Sequence, residues 1–208
     1  MLGYAHLSTG LMATAIAVGH GALPLDSGTV IGSVVGSIIL DIDESHSMVN
    51  KIIFPFNFLR NILGKLLFYG GLSAASFYSF YQLGFEKGYL LGILFLIITL
   101  SGHREIIHSI PGLIGITVLL CLIFKIDNTL LLPKSFIISF VFNGILHLLL
   151  DLFNKAGVKL FAPFSNKTLR YPICAYSNST KARFIELAIC MSLFTYILLN
   201  KNIFIELL

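Results

Sequence analysis

The sequence predicts an all-α fold, a polytopic membrane helical bundle of about six or seven helices, and three observations carry that prediction. The chain has 208 residues, 56% of them hydrophobic and 12% charged, with a mean hydropathy of +0.89; an ordinary soluble domain is about 25% charged. Its apolar runs reach or approach the roughly 20 residues that cross about 30 Å of hydrocarbon. Its breakers are spaced to separate such runs.

Taken in order, helices are expected at about 3–19, 28–41, 64–83, 89–103, 110–125, 135–153 and 183–200. Gly21, Pro24 and Gly28 mark the first turn, Gly84 to Gly88 the next loop, Pro111-Gly112 a restart, and Asn128 to Pro133 another loop. The polar stretches Glu44 to Asn61 and Asn154 to Ala182 are too short, and too rich in Phe, Ile, Leu and Tyr, to form a second domain. The chain reads as one membrane-embedded domain over 1–208, with a C-terminal loop and last helix at 166–208. Cys121, Cys174 and Cys190 have no paired spacing and read as small apolar residues. Met1 to Ala5 carries no Lys or Arg, so a retained N-terminus is expected rather than a signal peptide. No basic stripe interleaved with aromatics points to nucleic acid.

Following the chain from side to side, His6, Asp41, Asp43, His103, His108, His147 and Asp151 all fall on one side of the membrane, and His20 alone lies opposite. That side also collects ten of the 14 Lys and Arg residues, leaving Lys87, Lys125, Lys134 and Lys201 for the other. By the positive-inside rule the shared side is cytoplasmic. A charge within a spanning segment costs roughly 2.5–3.5 kcal/mol even on the gentler insertion scales, so an Asp/His cluster there marks function.

Each candidate has a bland reading beside the functional one. Asp41-Ile42-Asp43 leaves a helix rich in Gly and Ser; the pair can turn two carboxylates to one cation, or simply mark a helix exit to water. His147 and Asp151 are spaced i, i+4 and share a helix face, as joint ligands, as ligand and orienting partner, or as a polar pair joining two helices. His103 and His108 lie about 140° apart on an ideal helix and meet only if the backbone bends near Pro111. His6 alone would be an interfacial histidine. Imidazoles and carboxylates together suit zinc, with manganese or iron as alternatives, and seven groups exceed one tetrahedral site, so one or two ions are expected. Arg104 can hold a phosphate by its planar fork or snorkel to the interface. Glu105, with Glu44 and His46, is a candidate general base.

The blocks Ala5 to Gly10, Leu40 to Ser47, His103 to Ser109, Gly144 to Asp151 and Gly157 to Ser165 resemble the YdjM-type family of bacterial and archaeal inner-membrane proteins, described as metal-dependent hydrolases. They occur in the family's order and cover about 5–165. The resemblance implies His6, Asp41, Asp43, His103, His108, His147 and Asp151 as the metal set, with Arg104, Ser47 and Ser109 beside them. Leu40 and Glu44 stand where the family usually has Pro and His, and Glu105 and Ile107 where it has Gly and Thr. The order of elements is also similar, distantly, to zinc-dependent phospholipase C.

The function expected is a metal-dependent hydrolase embedded in the bacterial or archaeal inner membrane, cleaving a phosphoester of a lipid or amphiphile, with Arg104, Glu105 and Asp43 in catalytic roles. The alternatives are a metal-binding structural or regulatory protein, and a metal-ion transporter. Transport is set lower because the middle of the helices reads as apolar. The lipid bilayer is the expected partner, and the Gly-rich second helix leaves a homo-oligomer open.

Overall fold

Helix starts in this chain are written in capping residues, and the structure, a computed structural model, follows them. It describes residues 3–43, 47, 50–51, 62–84, 88–101, 106–126, 129–130, 133–176 and 179–200. Among these are α1 (Gly3–Gly19), α2 (Ser27–Ile38), α3 (Ile62–Leu83), α4 (Gly88–Leu100), α5 (Ile110–Ile123), α6 (Lys134–Asp151) and α7 (Thr180–Leu199). A 3-10 turn, Ile39–Asp43, follows α2, and Lys125–Ile126 pairs antiparallel with Thr129–Leu130. The all-helical class therefore stands.

The boundaries differ from expectation where capping chemistry wins over the apolar pattern. Asp26 accepts a hydrogen bond from the Thr29 amide at 2.7 Å and starts α2. Ser109 does the same for Gly112 at 3.0 Å, with Pro111 in the first turn of α5. Ser179 accepts from the Ala182 amide at 3.1 Å, so α7 begins three residues before the expected 183. Helix two was expected to run to 41; instead its last residues tighten into the 3-10 turn that carries Asp41.

Two of the helices, α6 and α7, are long and apolar enough to cross a membrane, and α2, α4 and α5 are shorter apolar helices. Many large apolar side chains are exposed, among them Leu67 and Leu100 in one part of the chain and Phe184 and Leu199 in another.

The chain forms two compact units. The first holds α1, α2, α6 and α7 with the stretch 152–158 and the residues from 167 onward. Its closest pairing is α2 on α6. A methyl group on Gly32 or Gly36 would collide with the carbonyl of Phe136 or Phe140, so the two backbones touch.

Along that seam the interior is polar. Ser135, Ser139, Asn143, His147 and Asp151 recur every fourth residue of α6, and all are buried. The Asn143 amide donates to the Thr14 hydroxyl at 2.9 Å, and that hydroxyl donates to Ser33 at 2.9 Å. Ser139 donates to the Thr29 carbonyl at 2.8 Å, and Ser37 to the Ser33 carbonyl at 2.7 Å. The expectation of an apolar middle is corrected here: this seam carries buried polar groups from Ser135 at one end of α6 to Asp151 at the other, hydrogen-bonded at Ser139 and Asn143.

The second unit holds α3, α4, α5 and the loop Lys159–Asn166. Its α3 lies against α4, where Ser73 donates to the Gly92 carbonyl at 2.8 Å and Lys65 to the Ser101 carbonyl at 2.6 Å. Tyr69 donates to Asn50 Oδ1 at 2.9 Å, and Asn50 Nδ2 to the Ile42 carbonyl at 2.8 Å, tying the 3-10 turn to α3.

Candidate metal centre

In the first unit, α6 delivers His147 and Asp151 from its last turns, and α1 delivers His6 from its first. The i, i+4 spacing puts the α6 pair on one helix face, and α1 packs against that helix. His6 Nε2 lies 3.3 Å from Asp151 Oδ1, and His147 Nε2 lies 3.7 Å from Asp151 Oδ2. The two imidazoles stack, centroids 3.9 Å apart and 14° from parallel. All three residues are at most 2% exposed. Buried ionisable groups persist when paired or when they coordinate a metal.

The spacing tests the fit. Two ligand atoms bound to one tetrahedral zinc at about 2.0–2.1 Å stand about 3.3–3.4 Å apart. The 3.3 Å from His6 Nε2 to Asp151 Oδ1 equals such an edge, the 3.7 Å from His147 Nε2 to Asp151 Oδ2 exceeds it, and two near-parallel stacked rings do not aim their in-plane lone pairs at one ion, so His6 and His147 do not share a single metal. The Ser37 carbonyl accepts the hydrogen of His147 Nδ1 at 2.7 Å, which fixes the tautomer and leaves the Nε2 lone pair toward Asp151. His147 and Asp151 are among the side chains that could hold a metal ion, and His6 stacks beside them; the donor set does not choose the metal.

In the second unit, His108 Nε2 lies 3.3 Å from Asp41 Oδ1, with the His108 side chain fully buried and the Asp41 side chain 16% exposed. Ser109 next to it donates to the Ile106 carbonyl at 2.6 Å and caps α5, and the Ile110 amide donates to the Leu160 carbonyl at 2.9 Å. His108 is therefore held by a rigid turn. Ile42, the spacer of the D-x-D pair, is buried.

Of the expected residues, the structure brings His6, His147 and Asp151 together in one unit and pairs Asp41 with His108 in the other. Asp43 closes the 3-10 turn, and its side chain lies outside the described residues, as do His103, Arg104, Glu105, Glu44 and His46. His6 gains most, since sequence reasoning gave it only a shared side. Ser109 proves to be a capping group, and Ser47 accepts from the Asn50 amide at 3.2 Å. His20, the outlier, is hydrogen-bonded to Tyr196. The reading missed Ser37, whose contribution is a backbone carbonyl and leaves no trace in residue type. It also missed Asn143 and Thr14; the four-residue repeat down α6 was the available signal.

The family model described as YdjM inner membrane protein matches residues 1–204. No curated protein and no solved structure matches the chain.

Proposed function

The chain belongs to the YdjM inner membrane protein family, and from that premise we propose that it is a multi-pass, metal-dependent hydrolase acting on a phosphoester of a lipid or other amphiphile. The observation that supports this reading is the buried pair His147 and Asp151, side chains that could hold a metal ion, with His147 oriented through Ser37 and His6 beside Asp151. A bound divalent ion, zinc first and manganese or iron next, would supply Lewis acidity and lower the pKa of a water toward neutrality. The Ser37 carbonyl holds the His147 ring in one tautomer, and Asp151 faces both imidazoles. Asp41 and His108, with Asp43 and His103, make up the rest of the proposed ligand set and leave room for a second ion. Arg104 is assigned to the substrate phosphate, Glu105 and Asp43 to proton transfer as water adds to phosphorus and the ester oxygen leaves.

Two long apolar helices and three shorter ones support the multi-pass reading, and the exposed apolar side chains support a substrate arriving from lipid. The Lys and Arg asymmetry supports a cytoplasm-facing site. Elemental analysis of detergent-purified protein tests the proposal. About one or two equivalents of metal are expected in the wild type, lost in His147→Ala and Asp151→Ala, with turnover on a lipid phosphate lost in parallel. A folded wild type that takes up no metal after supplementation overturns it.

The polar seam along α6 favours one second reading, a metal-ion transporter, because such a protein needs polar groups through the depth of its helices. Against it, Thr14, Ser33 and Asn143 in the middle of the seam bond one another, and Ser37 and Ser139 donate to backbone carbonyls. Metal flux into liposomes without any phosphoester turnover would replace the hydrolase with the transporter.

A further inference from the structure

From Leu152 to Ile185 the sequence contains no Asp or Glu, yet it carries Lys155, Lys167, Arg170, Lys181 and Arg183 among the residues of the first unit. Folding brings Lys155 and Arg170 together and leads the chain on to Lys181 and Arg183. The Lys155 amide donates to the Ala175 carbonyl at 2.9 Å, and the Val158 and Leu169 backbones bridge antiparallel, so the stretch returns on itself beyond α6. Gly157, at φ 71°, makes the tight turn, and a methyl group there would collide with Leu169. Arg170 Nη1 donates to the Lys155 carbonyl at 3.2 Å, and Lys155 Nζ stands 4.5 Å over the Tyr176 ring. The Tyr176 carbonyl in turn accepts from Ser179, the residue that caps α7, whose first turn presents Lys181 and Arg183. Lys155, Arg170, Lys181 and Arg183 are all exposed.

Apolar and aromatic side chains flank these cations. Ile173, Tyr176 and Phe184 are more than 60% exposed, and below them α7 continues as a helix of which only 11% is buried. A surface of fixed cations above exposed aromatics and a bare apolar helix has the layering of one bilayer leaflet, headgroup over interface over tail. We propose that this face of the first unit is a docking surface for the headgroup of an anionic phospholipid. The positive-inside rule requires only that basic residues lie on the cytoplasmic side. Here the backbone bridges and the Tyr176 contact hold Lys155 and Arg170 in place, the first carboxylate after them in the sequence is the buried Glu186, and that arrangement complements a phosphodiester anion. The inference is independent of the metal centre.

The test uses full-length protein purified in detergent and titrated with mixed micelles carrying phosphatidylglycerol or phosphatidylcholine, with bound lipid counted by native mass spectrometry. Phosphatidylglycerol is expected to be retained about tenfold better, and the preference to shrink in Lys155→Gln/Arg170→Gln and in Lys181→Gln/Arg183→Gln. Lys155→Arg is expected to keep it. Should a double variant fail to fold, the wild type still decides: an electrostatic preference collapses on moving from low to high salt. Equal retention of the two lipids, a preference that survives high salt, or displacement of the lipid by inorganic phosphate alone each overturns the proposal.

Discussion

Helices α6 and α7 pass the same test for a membrane span, with mean hydropathies of 1.4 and 1.8, yet 56% of one is buried and 11% of the other. The less apolar helix is the one packed inside. Its buried face holds Ser135, Ser139, Asn143, His147 and Asp151, while the exposed surface of α7 offers Phe184, Leu187, Met191 and Phe194. In water this would be inverted. In hydrocarbon, polar side chains gather where other helices can satisfy them, and the ends of such a polar seam are natural places for a metal.

The sharpest way to break that comparison is to add bulk to each environment. Gly36→Leu is expected to abolish the folded, metal-binding form, because the new side chain meets the Phe140 backbone rather than a movable group. Ala188→Leu on the exposed face of α7 is expected to leave yield and melting temperature unchanged. Size-exclusion behaviour and melting of both variants in one detergent check this, and equal damage would refute the contrast.

A smaller effect comes from removing bulk. Leu148, 2% exposed on α6, is expected to cost about 2–5 kcal/mol as Leu148→Ala. Leu187, 56% exposed on α7, is expected to fall within about 0.5 kcal/mol as Leu187→Ala. Denaturation in mixed micelles compares the two directly.

The smallest effect lies at the start of α2. The hydrogen bond from the Thr29 amide holds the exposed Asp26 carboxyl below its ordinary value of 3.8. A carboxyl whose folded pKa is lowered stabilises the fold above the unfolded value, and that stabilisation disappears as pH falls through the folded one. Melting of the wild type should therefore weaken from about pH 4 downward through this group. Asp26→Asn, which still caps the helix, should lose that part of the acid sensitivity while α2 remains. An identical acid profile in both proteins would remove Asp26 from the pH response.

Much of this was legible in the sequence. The described helices α1 to α7 lie within about three residues of where length and breakers place them, because Pro, Gly and runs of Leu and Ile act locally. The His147 and Asp151 pairing was legible because i, i+4 spacing is geometry. The stacking of His6 on His147 was not, since it depends on how α1 meets α6, and nothing in residues 3–19 announces a partner so far along the chain. The polar seam was hidden for a related reason. Ser and Thr are cheap enough in apolar segments to pass as neutral, and only the facing helices show that Thr14, Ser33 and Asn143 form one hydrogen-bonded set.

That set also dictates an order of events. Thr14 waits for Asn143, 129 residues downstream, and the Thr29 carbonyl waits for Ser139, 110 residues downstream. Thr14 and Ser33 can pair as soon as α2 is made, but the bonds from Asn143 and Ser139 exist only once α6 is present. One helix therefore does two things at once: α6 closes the seam and sets His147 and Asp151 beside His6.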